Sequence, residues 1–401
     1  MSEFAILVVA LSAVLVAGLA RKFSWNAPLV VLGVGLAASF IPGLERLEVD
    51  PELILGIVLP PLLYSAALSS SLQDFRASIS PIVRLGVGLV IVTTVVVAFT
   101  AGALDRQLTP AAALLLGAVV APPDAVAASA VGRKLGLPRR IMTLLGGESL
   151  INDATSLTLV KVAMAGVGTT GVLWQVGLET FTLAVLGGVA VGLVLGAGAQ
   201  TVRSLLRDPA ADTVLGLILP FVAYWVAEEL HGSGVLAVVA AGFLIGQTSP
   251  RTTVSTRLHE EPIWASIDLL LESFTFALIG LQLRWVIVDV QDSPTENTAA
   301  AFRLAGVVFL VTILIRPVYI YATELGARWR LPGRPAASHP RLTWRELLVT
   351  SWAGMRGVVT LAAAAAIPAF TTGGQPFPER ATLQLAAYTI AIGTLILQGI
   401  T

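Results

Sequence analysis

The stretch Gly147-Glu-Ser-Leu-Ile-Asn-Asp-Ala-Thr-Ser156 puts a row of polar side chains into a region that is otherwise apolar enough to lie in a lipid bilayer. Residues four positions apart lie on one face of a helix, so Glu148 is aligned with Asn152, and Ser149 with Asp153. A carboxylate at membrane depth is costly and usually marks an ion or proton site. The stretch therefore predicts a transmembrane helix with a functional polar face.

Two further stretches predict helices that break inside the membrane. In Ala118-Val-Val-Ala-Pro-Pro-Asp-Ala-Val-Ala127, two prolines remove backbone donors and clash with the preceding turn, which leaves Asp124 at the break. In Trp352-Ala-Gly-Met-Arg-Gly-Val-Val359, two glycines flank Arg356. Broken helices at matching positions of two inverted halves are typical of secondary transporters. We therefore expect an inverted repeat with two broken helices that cross.

The composition places the chain in a membrane. Of its 401 residues, 56% are hydrophobic and 12% are charged, and the mean hydropathy is +0.85. These values are typical of a polytopic helical membrane protein. The net charge of zero argues against nucleic acid as a partner. The absence of cysteine excludes disulfides, thiolate metal sites and cysteine catalysis. Since the sequence also lacks a nucleophile motif and a phosphate-binding loop, we expect neither an enzyme nor a cofactor.

Apolar runs long enough to cross a bilayer predict an all-α protein of about 13 transmembrane helices in a single domain over residues 1–401. Sixteen of the 25 lysines and arginines fall in alternate loops, and five fall in the opposite loops. Because basic residues favour cytoplasmic loops, the N-terminus is predicted to be external and the C-terminus cytoplasmic, in the plasma membrane. The predicted helices lie near residues 4–20, 27–41, 51–70, 81–104, 110–131, 141–165, 172–202, 211–230, 234–247, 263–287, 300–325, 346–369 and 381–401.

An arginine within a span keeps its charge and needs a partner of opposite charge. For Arg356 the best candidate is Glu148, and we predict a structural ion pair between them. Arg316, in Ile313-Leu-Ile-Arg-Pro-Val-Tyr319, stays open as an alternative partner or as a residue that lines the site.

That pairing leaves Asp153 and Asp124 to bind a proton or a hard monovalent cation. Oxygen ligands are expected from the Ser149 hydroxyl and from the carbonyls freed around Pro122 and Pro123.

These motifs resemble those of the monovalent cation:proton antiporters of the NhaP and NHE type. Pro122-Pro-Asp-Ala-Val-Ala127 is similar to the family's Thr-Asp-Pro region, and Gly147-Glu-Ser-Leu-Ile-Asn-Asp153 to its Gly-Glu-Ser-Leu-Leu-Asn-Asp motif. Met355-Arg-Gly-Val-Val-Thr-Leu-Ala362 is similar to its arginine-glycine motif on the second broken helix. The resemblance covers the whole chain and implies the NhaA-like antiporter fold.

Carried to this sequence, the resemblance implies that Asp153 is the main carrier of cation and proton. Asp124 and Ser149 are then further sodium ligands. Asn152 stands where electrogenic relatives have an aspartate, which implies electroneutral exchange of one cation for one proton.

The resemblance also implies that the pair of Glu148 and Arg356 fixes Asn152. Two departures bear on the site. Pro123 replaces the family's threonine, which removes one hydroxyl ligand. Ser65 follows Pro60-Pro-Leu-Leu-Tyr64, where some members have an acidic residue, so a contribution from the third span stays open.

We therefore expect a homodimeric antiporter in which a six-helix core moves against a dimerisation scaffold. The core is expected in helices near residues 81–165 and 300–401, and the scaffold in helices near residues 4–70 and 172–287. Na⁺ and H⁺ are the expected substrates, with Li⁺ or K⁺ left open. Alternatives are a potassium/proton antiporter, a sodium-coupled symporter with a larger pocket, and a cation channel with a continuous wet pore.

Overall fold

The protein is described by a computed structural model over residues 3–41, 46, 54–70, 72–124, 136–167, 173–206, 208–248, 254–293, 296–328, 343–371 and 374–400. Within these ranges the chain is helical apart from loops and an isolated β-bridge between Phe370 and Pro376. The helices are α1 Glu3–Lys22, α2 Ala27–Ala38, α3 Ile54–Leu68, α4 Leu72–Ala77, α5 Ile79–Leu104, α6 Pro110–Val120, α7 Arg139–Gly166, α8 Leu173–Leu206, α9 Pro209–Glu229, α10 Gly234–Thr248, α11 Val254–Asp292, α12 Thr298–Arg328, α13 Trp344–Trp352, α14 Val358–Ala365 and α15 Arg380–Ile400.

Each apolar run singled out in the sequence contains a helix, which confirms the prediction of an all-α membrane protein. In the described part of the chain, seven helices are long and apolar enough to cross a bilayer: Phe4–Lys22, Ile79–Leu104, Leu178–Leu206, Ala210–Glu229, Glu260–Asp292, Thr298–Leu325 and Arg380–Gly399. Shorter apolar helices lie between them. The largest boundary error is at α11, which begins at Val254 rather than near residue 263, because its first turns are polar and fall outside an apolar window.

Two segments are unwound where the sequence predicts breaks. Helix α6 ends at Val120, and residues 121–124 follow without helical structure, because the two prolines supply no backbone N–H. Residues 353–357 separate α13 from α14. The backbone N–H of Asp124 donates to the carbonyl oxygen of Met355 at 2.6 Å, so the two unwound segments touch. The predicted continuation of the first broken helix to residue 131 lies outside the described residues.

The helices around this crossing pack against one another. Helix α6 contacts α5, α7, α14 and α15, and α12 contacts α5 and α15. A second group of contacts joins α11 to α1 and α2, and α10 to α3, α8 and α9. The helices that pack around the unwound segments therefore come from both halves of the chain.

Candidate functional site

A cavity of about 350 Å³ lies at the crossing of the two unwound segments. Asp124, Asp153 and Ser149 line it together with Pro123, so the structure brings four predicted site residues to one space. Carboxylate, hydroxyl and carbonyl oxygens are the ligands that hard cations prefer. The other walls come from α3, α4, α11 and the start of α14, including Leu62, Ala66, Phe75, Glu272 and Thr360.

Asp153 projects from the middle of α7 and is 6% exposed. Within the described part of the chain, no hydrogen bond or ion pair engages its carboxylate. Ser149 lies one helical turn earlier on the same face, as the i,i+4 spacing predicts. Asp153 is therefore placed to hold a proton or a cation rather than to stabilise a neighbouring helix.

Asp124 is held by backbone contacts from the second unwound segment. Its N–H bonds to Met355, and its carboxylate lies against Gly357. A Cβ atom at Gly357 would lie 1.6 Å from Oδ2 of Asp124, which no side chain could tolerate. Glycine at position 357 is thus required for the carboxylate of Asp124 to reach the cavity.

Asn152 is fully buried behind the cavity wall. Its Nδ2 donates to the carbonyl oxygen of Pro123 at 3.3 Å. The side chain therefore holds the first unwound segment against α7, and the cavity lining does not include it.

Glu148 forms an ion pair with Arg316 of α12. One oxygen contacts Nη1, and Nη2 donates to Oε2 at 2.9 Å, so the pair is bidentate. Arg316 Nε also donates to the Thr350 carbonyl at 3.0 Å, which ties α12 to α13. Both side chains are at most 2% exposed.

The predicted pair of Glu148 with Arg356 is wrong for the described residues, in which Arg316 is the arginine within ion-pair distance of Glu148. The guanidinium of Arg356 instead donates to carbonyls that the breaks leave without helical partners. Nε bonds to Val120 at 3.1 Å, Nη2 to Ala121 at 3.4 Å, and Nη1 to Gly354. A positive charge at the ends of α6 and α13 is also favoured by their helix dipoles. Arg356 therefore caps two helices.

Ser65 does not line the cavity among the described residues. Its hydroxyl donates to Oδ2 of Asp268 on α11 at 2.7 Å. Adjacent residues of a helix point in different directions. Ala66 lines the cavity, whereas Ser65 points to the neighbouring helix α11. The prediction that Ser65 lines the site therefore receives no support from its position.

Glu272, Thr143 and Thr360 line the cavity and were not predicted from the sequence. Glu272 could have been found, since a carboxylate within an apolar span is a functional candidate by default. Thr143 and Thr360 carry no such signal, because threonine is common in membrane helices and its position relative to the cavity depends on the packing.

The model of the family described as sodium/hydrogen exchanger, transmembrane, matches residues 5–401. The chain belongs to the sodium/hydrogen exchanger family. It is therefore a membrane transporter of the cation/proton antiporter class and not an enzyme, as the sequence predicts.

Named relatives and solved structures agree with this family. An uncharacterized Na⁺/H⁺ exchanger of Mycobacterium tuberculosis (strain H37Rv) is 32% identical over 98% of this chain and 72% of its own length. A sodium, potassium, lithium and rubidium/H⁺ antiporter of Bacillus pumilus is 29% identical over 93% of this chain and 56% of its own length. The sodium proton antiporter MjNhaP1 of Methanocaldococcus jannaschii superposes with a TM-score of 0.74 at 18% identity, over 98% of this chain and 95% of that chain. This exchanger therefore has the NhaP antiporter fold.

Arg316→Ala should destabilise the protein, because it leaves the carboxylate of Glu148 buried without its partner, a loss of typically about 3–5 kcal/mol. In a double-mutant cycle measured by thermal unfolding in detergent, Glu148→Ala should recover part of this loss. The same cycle between Glu148 and Arg356 is the control and should show a much smaller coupling. A stronger coupling of Glu148 to Arg356 than to Arg316 would contradict the observed pairing.

Proposed function

We propose that the protein is an electroneutral sodium/proton antiporter that exchanges one cation for one proton by alternating access. The observation that carries this proposal is the cavity in which Asp153, Asp124 and Ser149 converge. A carboxylate that binds a cation must first release its proton, so sharing Asp153 between the two ligands couples their movements.

The charges of the buried groups support a one-for-one stoichiometry. Glu148 and Arg316 cancel each other in their ion pair. Counting only the groups on the two unwound segments and on α7, with both aspartates ionised, the charge of Arg356 balances one carboxylate and leaves a single negative charge; Glu272 on α11 stands outside this count. One proton or one monovalent cation neutralises that charge equally well. Asn152 adds no charge, because its amide is neutral.

Sodium is the proposed main cation. The relative in Bacillus pumilus is named for sodium, potassium, lithium and rubidium, so lithium and potassium remain the alternatives for this chain. The site favours a cation over an organic anion, because Asp124, Asp153 and Glu272 all line it. Its volume of about 350 Å³ also lies at the lower end of pockets that hold small organic ligands.

The walls of the cavity support a carrier that opens to one side at a time. The lining residues of α7 extend from Asp153 back to Met142, toward the N-terminal end of the helix, which is predicted to be cytoplasmic. Two turns beyond Asp153, Lys161 forms an ion pair with Glu228 of α9 at 2.5 Å. Glu228 also accepts a hydrogen bond from the N–H of Gly234 at 2.9 Å. The arrangement fits an inward-facing state that is closed at the external end, rather than a channel.

We further propose that the six-helix core near residues 81–165 and 300–401 moves against the scaffold near residues 4–70 and 172–287. The pair of Lys161 and Glu228 joins these two units and would have to separate in an outward-facing state. A homodimer formed through the scaffold, in the plasma membrane and with an external N-terminus, completes the proposal.

Asp153→Asn should abolish sodium-dependent proton flux in proteoliposomes, because the amide keeps the shape but cannot exchange a proton. The thermal stability should change little, since no described contact depends on the carboxylate. Asp268→Asn is a matched control: this aspartate bonds to Ser65 outside the cavity, and exchange should persist. Substantial flux in Asp153→Asn would refute the role of Asp153.

Raising the proton concentration should raise the apparent sodium constant, which is the sodium concentration that gives half-maximal flux, because sodium and protons compete for Asp153. Sodium titrations of flux at several pH values, with the membrane potential set by potassium and valinomycin, measure this directly. The rate should not follow the imposed potential if one charge is exchanged for one. An apparent sodium constant that does not depend on pH would contradict the shared site. A final ion gradient that follows the imposed membrane potential would contradict the one-for-one stoichiometry.

Cross-linking Lys161→Cys to Glu228→Cys with a short bifunctional maleimide should stop transport by holding the external end closed. The chain contains no cysteine, so no other thiol can react. The control is Arg46→Cys with Asp289→Cys, which replaces an ion pair of 2.7 Å outside the core. Cross-linking of this control should leave transport intact. Equal transport before and after cross-linking at positions 161 and 228 would rule out relative movement at this contact.

A further inference from the structure

Thr360 carries a buried hydroxyl in the wall of the cavity. The side chain is 0% exposed, and among the residues that the structure describes no group accepts a hydrogen bond from Oγ1 or donates one to it. Thr360 lies in the first turn of α14 and is one of the residues that line the cavity with Asp124 and Asp153. It was not among the site residues predicted from the sequence.

The unwound segment explains why this hydroxyl has no partner. Several buried threonines within the helices donate to the carbonyl four residues earlier, as Thr155, Thr158 and Thr312 do at 2.8, 2.7 and 2.7 Å, although Thr93 of α5 does not. The residue four positions before Thr360 is Arg356, which precedes the start of α14 at Val358. Gly357, which follows it, has φ −151° and ψ −133°, outside the helical region, so the Arg356 carbonyl is not aligned as a helical acceptor for Thr360.

An unpaired buried hydroxyl is unfavourable, since it has lost its hydrogen bonds to water. A bound cation would satisfy the oxygen lone pairs of Thr360 and offset this cost. Thr360 is also close to a known part of the site: Gly357, one turn earlier, contacts the carboxylate of Asp124.

The chemistry of the first unwound segment leaves room for such a ligand. Pro123 precedes Asp124 and has no side-chain oxygen, so this segment offers a carboxylate and backbone carbonyls. A hydroxyl from the first turn of α14 adds a neutral oxygen without changing the charge of the site.

We propose that Oγ1 of Thr360 is a ligand of the transported monovalent cation and sets its affinity, from a different helix than Ser149. The inference rests on the proposed antiport function. It assigns one cation-binding group to the first unwound segment, through Asp124, one to the first turn of α14, through Thr360, and two to α7, through Ser149 and Asp153.

The test is Thr360→Val, which keeps the shape of the side chain and removes the hydroxyl. In proteoliposomes at fixed pH, the apparent sodium constant should rise by at least about tenfold, the range seen when a metal site loses a supporting group. The rise in unfolding temperature caused by sodium in detergent should shrink in parallel, because a ligand stabilises the folded state according to its affinity.

Thr93→Val is the matched control. Thr93 is also 0% exposed with an unpaired hydroxyl, and it lies on α5 away from the described cavity lining. It should leave the sodium constant unchanged. Thr360→Ser, which keeps the hydroxyl, should also bind sodium like the parent protein. If Thr360→Val cannot be purified folded, Thr360→Ala against Thr360→Ser makes the same comparison.

A purely structural role for Thr360 predicts a different result. Replacing an unpaired hydroxyl by a methyl group would then leave the sodium constant as it was, with equal or higher thermal stability. That outcome, or an equal loss of affinity in Thr93→Val, would overturn the inference while leaving the antiport function in place. A parent protein without cation-dependent proton flux would instead refute the proposed function itself.

Discussion

Backbone groups that are freed inside a bilayer must find partners within the protein, because no water is available there. Two unwound segments cross in this exchanger, and each leaves carbonyls without helical partners. The guanidinium of Arg356 donates hydrogen bonds to three of these carbonyl oxygens, those of Val120, Ala121 and Gly354. The N–H of Asp124 and the carbonyl of Met355 satisfy each other. The position of Asp124, and with it one wall of the cavity, depends on these contacts.

A second consequence concerns how the buried charges are divided. Because Arg356 serves the backbone, Glu148 needs another cation, and Arg316 supplies it from α12. Arg316 can approach because Gly354 has no side chain: a Cβ atom there would lie 2.7 Å from Cδ of Arg316. The pair therefore positions α7, while Asp153 on the same helix is left without a described partner. One helix thus carries a carboxylate held in an ion pair and, one turn further on, a carboxylate that faces the cavity.

The two ion pairs that α7 makes, through Glu148 and Lys161, differ in kind. The pair of Glu148 and Arg316 is buried within the helices around the crossing, where separating the charges would be costly. Lys161 and Glu228 are 44% and 26% exposed, and an ion pair of that kind contributes little net stability. If one group of helices moves against the other, contacts within a group should be strong and contacts between the groups should be weak. The pair of Glu148 and Arg316 is of the first kind, and the pair of Lys161 and Glu228 is of the second.

The sequence by itself determined the membrane helices, the two breaks and the polar face of α7. These features are local, since a span needs a continuous apolar run, a break needs proline or glycine, and a helix face needs only i,i+4 spacing. Only the tertiary structure decided which charges pair, because Glu148 and Arg316 are 168 residues apart and several arginines were equally suitable by type. It likewise placed Ser65 against Asp268 and the Thr360 hydroxyl at the cavity, since side-chain direction at a helix crossing depends on how distant helices pack and not on the residues beside it in the chain.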